Sequence, residues 1–522
     1  MYKPQNFVEL GYNQLKTKGE LDYLYLLAKK LLKRYKYVKK PVYGVKAEII
    51  NKALKQFFIQ RVLHLNFNKR ILIAIANKKR LNIGLPIIWL KWLNKKEGFK
   101  CVNLLNILKW KFTVFYWLGV GVFFSLHYFF ILLKKLRFND TSSQYVYFDN
   151  LSQLNFPKKF SNSKTIINWY IKNELDESTN EIIHNVEEIK PFIQKNIHIK
   201  PNQIPFKLKV DLNLIFSYMR TILMTTLKAT FNAIVGNPVQ ALLLKEYPLL
   251  FLSKKTKANN FAKTYFFHNS TLIHRPLWTY VAEKKNSNII LYFYSANIQT
   301  IKLDNREHPF FGHKEFMSWS NYYVWNSSQE KYIRSLVSDS QTKIVGPIWF
   351  QSTNKPVSKV IKTNKKIISI FDVQPYSIER YRILGLPNEY YTLKNIMDFH
   401  KDIVDTFSNE KEFLIVLKRK RNTPMIDKEY LKKIKNLYSG EFFIEIDPSI
   451  DATSLLEISF ASVHFPTTST AIVAEDLGIS SVYYDANSLV DIDDKGLSGI
   501  KLIQGKKNLY KWKNSLKKQF TN

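Results

Sequence analysis

The stretch ASVHFPTTSTAIVAEDLGISSVYYD (461–485) decides the fold. It opens on an apolar run of strand length, 461–465, that stops at Pro466. Four hydroxyl residues follow, Thr467, Thr468, Ser469 and Thr470. Then Ala471, Ile472, Val473, Ala474 and Leu477 recur at helical spacing, and Gly478 stands where a helix C-terminal cap belongs. A β-rich run, 481–484, closes the unit. The order strand, tight loop, helix, strand is one βαβ step of a parallel sheet. Ser and Thr are preferred helix caps, so the hydroxyls have a purely structural use. Four in a row, behind His464 and Pro466 at a strand end, exceed what one cap needs. The alternative use is to hold a phosphate at a helix N-terminus, where backbone N–H groups and the dipole favour an anion.

Working upstream, the same alternation continues. Strand-like runs are expected at 367–371, 413–417 and 442–446, with a helical segment at 393–406. A polar, lysine-rich stretch, 352–366, reads as a linker. Before it, strands are expected at 264–268, 289–294, 322–325 and 342–345, with a helix over 276–285 that begins on Pro276. Further upstream, 144–149 reads as a strand and 165–170 as another. The long apolar patterns within 207–252 read as packed helices of a globular domain. The expected organisation is α/β: a helical basic region over 1–140, a Rossmann-like domain with a helical insertion over 141–351, and a second Rossmann-like domain over 365–522.

The chain has 522 residues, enough for roughly two to four domains. Lys and Arg number 79 against 42 Asp and Glu, a net charge of +37. That excess favours an anionic partner, such as an acidic lipid surface or a phosphorylated substrate. Nucleic acid is set aside, because no zinc spacing, RNP-like strand or basic zipper occurs. The single cysteine, Cys101, leaves no intrachain disulfide and no cysteine metal cluster, which suits a reducing cytoplasmic site. The first twenty residues lack the apolar core of a secretory signal. Residues 112–133 are uncharged and long enough to cross a bilayer, with Lys109 and Lys111 before them and Lys134, Lys135 and Arg137 after. A span, an in-plane membrane element and a buried core helix all remain open for this stretch.

The motif resembles the signature of bacterial surface-polysaccharide biosynthesis proteins of the Pro-Phe-Thr-Ser family. It stands here as Pro466-Thr467-Thr468-Ser469-Thr470-Ala471, with Gly478 and Tyr483-Tyr484-Asp485 downstream; Thr467 takes the place of the usual Phe. The resemblance extends over 264–485. It includes the run from His274 to Tyr280 with Glu283, the run Tyr292-Phe293-Tyr294-Ser295, and Gly346-Pro347-Ile348-Trp349-Phe350. Two Rossmann-like halves joined through a Gly-Pro strand end and a linker also resemble the GT-B fold of glycosyltransferases. The resemblance implies surface-polysaccharide assembly (capsule or lipopolysaccharide) at the cytoplasmic face of the bacterial inner membrane. Its partners would be a CMP-, UDP- or GDP-linked sugar donor, a glycan or lipid-linked acceptor, and an anionic membrane surface. No further cofactor is expected.

A transfer of this kind needs donors for a leaving phosphate and a base for the acceptor hydroxyl. The candidates for the phosphate are His464, Thr468, Ser469 and Thr470, with Lys418, Arg419 and Arg421 after a neighbouring strand. The candidate bases are His268, at a strand end, and Glu283, on the following helix. Arg275 is a candidate for an anionic group, and Glu475, on the motif's helix, completes the set. No Asp-x-Asp element in strand context is present, so metal-independent chemistry is expected. An epimerase or another sugar-modifying enzyme on the same fold, and a non-catalytic assembly protein, stay as alternatives.

Overall fold

A computed structural model describes residues 4–521, apart from 21, 137–143, 153–154, 157–164, 269–272, 296–300, 304–313, 349–356, 358–360, 376, 385–389, 421–427 and 439–440. Among the described residues, fourteen strands build two sheets. The first holds β1 (Tyr145–Asp149), β2 (Glu181–His184), β3 (Phe192–Gln194), β4 (Ile197–Pro201), β5 (Thr264–His268), β6 (Asn288–Tyr292), β7 (Asn321–Val324) and β8 (Gln341–Ile344). The second holds β9 (Lys366–Phe371), β10 (Phe413–Lys418), β11 (Phe443–Glu445), β12 (Ala461–His464), β13 (Ser480–Asp485) and β14 (Leu502–Gln504). Their spatial orders are β3-β4-β2-β1-β5-β6-β7-β8 and β11-β10-β9-β12-β13-β14. All pairings are parallel except the β3–β4 edge.

The sequence explains the central strands. FLIVLK in β10 and TYFFH in β5 are buried at every position, as parallel strands covered on both faces must be. Alternate residues of the first sheet enter different cores. Tyr147, Tyr265, Phe267 and Leu291 pack with the N-terminal helices in one cluster, together with Leu31, Phe58 and Trp89. Val146, Phe148, Phe266, Ile290 and Tyr292 lie on the other face, in a cluster continuous with the second sheet. The N-terminal helices therefore share a core with the first lobe. They also touch the second: Lys69 pairs with Glu379 at 2.7 Å, Arg382 with Glu9 at 2.9 Å, and Asn68 donates to the Ile383 carbonyl.

Three expectations change. Residues 165–170 belong to the helix Ile166–Asn173, because the Thr165 side chain accepts from the Asn168 N–H and caps it, while Ile166, Ile167 and Tyr170 bury one helical face. Strands β2, β3, β4 and β14 were not foreseen. They are three to five residues long and too short to show a period. The helix Leu212–Ile234 is no enclosed core helix, since Leu212, Phe216, Leu223, Met224, Leu227, Phe231 and Ile234 are all exposed. The stretch 112–133 lies within one helix, Leu104–Lys135, which is long and apolar enough to cross a membrane.

Candidate functional site

In each sheet the chain starts at one central strand and runs out both ways. The first sheet reverses between β1 and β5, the second between β9 and β12. Ligands of doubly wound sheets bind at the carboxyl ends beside such a reversal. Both reversals end in the same pair of residue types. Asp149 ends β1 and His268 ends β5; Asp372 follows β9 and His464 ends β12.

The two ends meet. Ser295, just past β6, and Ser469, in the motif loop, share a hydrogen bond of 2.9 Å. Beside it Leu303 forms an antiparallel bridge with Val490, and Ser328 donates to the Lys495 carbonyl. The carboxyl ends of the two sheets thus face each other.

In the second lobe, His464 is fully buried, and both ring nitrogens are used inside the loop, Nδ1 with Thr470 Oγ1 at 2.9 Å and Nε2 with Ser462 Oγ at 2.8 Å. Its ring stacks on Phe371 at 4.9 Å, and burial pushes its pKa down to about 3. It therefore shapes the loop and does not reach out of it. Thr468 Oγ1 donates to the Phe465 carbonyl, and the Thr468 carbonyl accepts from Tyr483. Thr467 has φ of 71°, the left-handed region, where a β-branched residue is strained; its hydroxyl bonds Tyr391 at 2.9 Å. The helix after the loop, Thr470–Asp476, is only seven residues long, and the Ser469 hydroxyl does not cap it. A helix dipole is accordingly a minor part of this site. Glu475 is exposed in its last turn.

Lys418 ends β10, buried, with Nζ at 3.3 Å from the Pro448 carbonyl; Arg419 is ion-paired to Glu445. Both stand one strand away from the reversal. Arg421 lies outside the described residues. Closer in is a group that the sequence reading missed. Asp372 Oδ2 pairs with His400 Nε2 at 3.0 Å and accepts from Tyr430, while His400 Nδ1 bonds Tyr438 at 2.9 Å. The other carboxylate oxygen of Asp372 is buried without a hydrogen-bond partner.

In the first lobe, His268 is buried, and desolvation lowers its pKa to about 3, partly offset by a hydrogen bond with the Asp149 backbone. Asp149 was also missed. Desolvation raises its pKa to about 6. Its Oδ1 accepts from Asn185 Nδ2 at 2.7 Å, and Asn150 donates to the His268 carbonyl. Arg275 and Glu283 are elsewhere. Glu283 pairs with Arg275 at 2.7 Å and accepts from Ser320, just before β7, so it sits toward the amino ends of the strands. Arg275 is buried over the Tyr280 ring and donates to the Ser318 carbonyl. That cluster ties a helix to the sheet and faces away from the cleft. The missed residues carried a signal: Phe148-Asp149 and Phe371-Asp372 are the same dipeptide at two strand ends.

Two doubly wound lobes with facing carboxyl ends define a GT-B-like protein. The chain belongs to the polysaccharide biosynthesis PFTS motif family, whose model matches residues 225–513. Among solved structures, it is similar to an α,α-trehalose-6-phosphate synthase from Burkholderia multivorans at 10% identity, covering 72% of this chain and 90% of that one, with a TM-score of 0.36. It is also similar to a UDP-GlcNAc 2-epimerase from Neisseria meningitidis, bound to UDP-GlcNAc, at 12% identity, covering 71% and 90%, with a TM-score of 0.34. Likenesses this distant carry nothing about chemistry. No curated protein sequence matches.

Proposed function

We propose that the protein is a glycosyltransferase of surface-polysaccharide assembly, moving a sugar from a nucleotide-sugar to a lipid-linked glycan at the cytoplasmic face of the inner membrane. The observation that carries this reading is the meeting of two strand-reversal ends across Ser295 and Ser469, each end bearing an Asp and a His. The nucleotide-sugar binds the second lobe beside β9 and β12. The loop from Pro466 to Thr470 shapes that subsite, Lys418 adds positive charge one strand away, and Asp372 braces the strand end through His400 and Tyr430. The acceptor enters from the first lobe.

In the transfer, the acceptor oxygen bonds the anomeric carbon, and the bond from that carbon to the phosphate oxygen breaks. The nucleotide leaves with the electron pair. Asp149 takes the acceptor proton; its raised pKa, near neutral pH, suits a general base. His268 stays neutral and positions Asp149 through the strand end. Glu283 is not kept in this role, because its carboxylate is engaged with Arg275 and Ser320. The transfer is proposed to run without a metal.

The test uses purified full-length protein with labelled UDP-, GDP- and CMP-sugars and an extracted lipid-linked acceptor. The expected result is nucleotide release from one donor only when acceptor is present, lost in Asp149→Asn. Sugar isomerisation without acceptor would make the protein an epimerase. Donor binding with no turnover under any condition would make it a non-catalytic assembly protein.

A further inference from the structure

The helix Leu104–Lys135 has 32 residues, about 48 Å of rise. One face is buried along its whole length, at Asn106, Trp110, Val114, Leu118, Gly121, Ser125 and Leu132. At Gly121 the approach is so close that a Cβ would meet the Leu244 side chain at 2.5 Å. A helix docked from end to end on a globular body cannot also cross a bilayer alone. Its other face is apolar and exposed, with Phe112 at 74% and Phe123 at 66% of full exposure.

The helix Leu212–Ile234 lies against it, and Tyr218 donates to the Ser125 carbonyl at 2.7 Å. Both helices pack on the segment that begins at Val239, so their free faces point the same way. On the second helix, Phe216, Leu223, Leu227 and Phe231 continue the apolar surface. The two helices carry six basic residues (Lys109, Lys111, Lys134, Lys135, Arg220 and Lys228) and no acidic one. Two copies meeting through this surface would bring twelve like charges together on chains of net charge +37, whereas an anionic bilayer offsets them. At one end of the surface, a cavity of about 500 Å³ opens among Arg61, Arg70, Lys109, Asn66, Asn82 and Phe112, three cations and two amides beside an apolar rim.

We infer that these paired helices form a plate that seats the protein in the plane of an anionic phospholipid bilayer, with a headgroup phosphate in the cavity of Arg61, Arg70 and Lys109. The seating stands whether or not the transferase reading holds. It also gives that reading a direction. Tyr128, packed on the core side of the first helix, lies near Asp149, so the plate and the first-lobe strand end are neighbours, and we infer that a lipid-borne acceptor enters there.

The test is flotation of the full-length protein with vesicles of phosphatidylglycerol and phosphatidylcholine, and with phosphatidylcholine alone. Wild type floats with the anionic vesicles. The triple variant Phe216→Glu, Leu223→Glu, Phe231→Glu melts at the wild-type temperature, because these side chains are exposed, yet its floated fraction falls at least tenfold. Arg61→Gln with Arg70→Gln keeps binding to the vesicles but loses the preference for phosphatidylglycerol. Depth is read in a Cys101→Ser background, with an environment-sensitive dye on cysteines placed at Phe112, Phe123 and Phe231. Quenching by shallow-labelled lipid at all three sites supports an in-plane plate. Phe123 alone quenched at the bilayer centre would show a span and overturn the proposal. Unchanged flotation of the triple variant would overturn it too. So would a concentration-dependent dimer that the triple variant abolishes, which would make a second copy the occupant.

Discussion

The two lobes end in the same residues and treat them differently. In the second lobe, Asp372 is bonded to His400 and Tyr430, and His464 to Ser462 and Thr470. Every one of those partners is a hydroxyl or a ring fixed in a packed core. In the first lobe, Asp149 accepts from the Asn185 amide and from the Asn150 backbone, and desolvation raises its pKa to about 6. A carboxylate locked by donors is suited to holding a ligand in one place. A carboxylate whose pKa desolvation raises toward neutral pH is suited to exchanging a proton. On the proposed function, the second lobe holds the ligand and the first exchanges the proton, and the same substitution at the two aspartates should give opposite results.

The largest effect is expected at Asp149. In Asp149→Asn, kcat should fall by about 10² to 10⁴, with the donor KM little changed, as a lost general base requires. In wild type, kcat/KM should drop as pH falls below about 6, where the base is protonated. Stability should move the other way. The folded pKa lies above the ordinary carboxylate value, so the folded chain holds this proton more tightly than the unfolded one. Stability from this group is therefore lost as pH rises from about 4 to 6. Asp149→Asn should gain about 1 kcal/mol at pH 8 in urea unfolding, after discounting for partial exposure. A destabilised Asp149→Asn would remove the contrast between the lobes.

Asp372→Asn should do the reverse. It keeps one oxygen acceptor but removes the charge that strengthens the bonds from His400 and Tyr430, at a residue only 4% exposed. A loss of about 2 to 4 kcal/mol is expected, measured by the urea midpoint, with nucleotide binding weakened in a thermal-shift titration. If Asp372→Asn folds as well as wild type, the tyrosine–histidine lattice is not what fixes this lobe.

The sequence made the strands of the second lobe plain, because a parallel sheet covered on both faces needs continuous apolar runs, and IISIF, FLIVL and ASVHF are such runs. The motif loop was legible for the same reason: hydroxyls between a strand and a helical pattern have few other uses. The weaknesses were of two kinds. Short strands such as β3 and β14 draw their stability from neighbours and leave no period of their own. Arg275 belongs to the family-like run and Glu283 to the helix after a strand end, and both have the residue types that catalysis uses. Those two proved to bond each other, an intramolecular use that no spacing distinguishes from catalysis. Asp149 passed unnoticed as the end of a strand, since the reversal of strand order that gives its position meaning exists only once β2 and β5 flank β1. The helix Leu212–Ile234 was misjudged because apolar composition does not say which faces are covered.

A smaller effect sharpens the comparison on the histidines. Both strand-end imidazoles have folded pKa values of about 3. The unfolded chain takes up a proton near pH 6.5 that the folded chain refuses. Their contribution is complete above about pH 6.5 and falls away as pH drops toward 3. His464→Asn can keep the bond to Thr470, from the position of Nδ1, without titrating. Between pH 7 and pH 4.5, wild type should lose about 2 kcal/mol more than this variant in urea unfolding. Equal losses would mean that His464 is solvated in the folded chain.

The smallest effect concerns how the lobes meet. Ser295 and Ser469 make one of the polar contacts between the two strand-reversal ends, and a net hydroxyl pair of this kind contributes about 0.5 to 1 kcal/mol. Ser295→Ala and Ser469→Ala should each cost about that much, and a double-mutant cycle should return the shared bond as coupling. Turnover discriminates further. If the contact sets the distance between Asp149 and the bound donor, both single variants and the double variant should lower kcat by the same factor while leaving donor binding intact. Three equal factors would mean that one bond positions both lobes. Additive losses would mean that each serine meets a different part of the substrate.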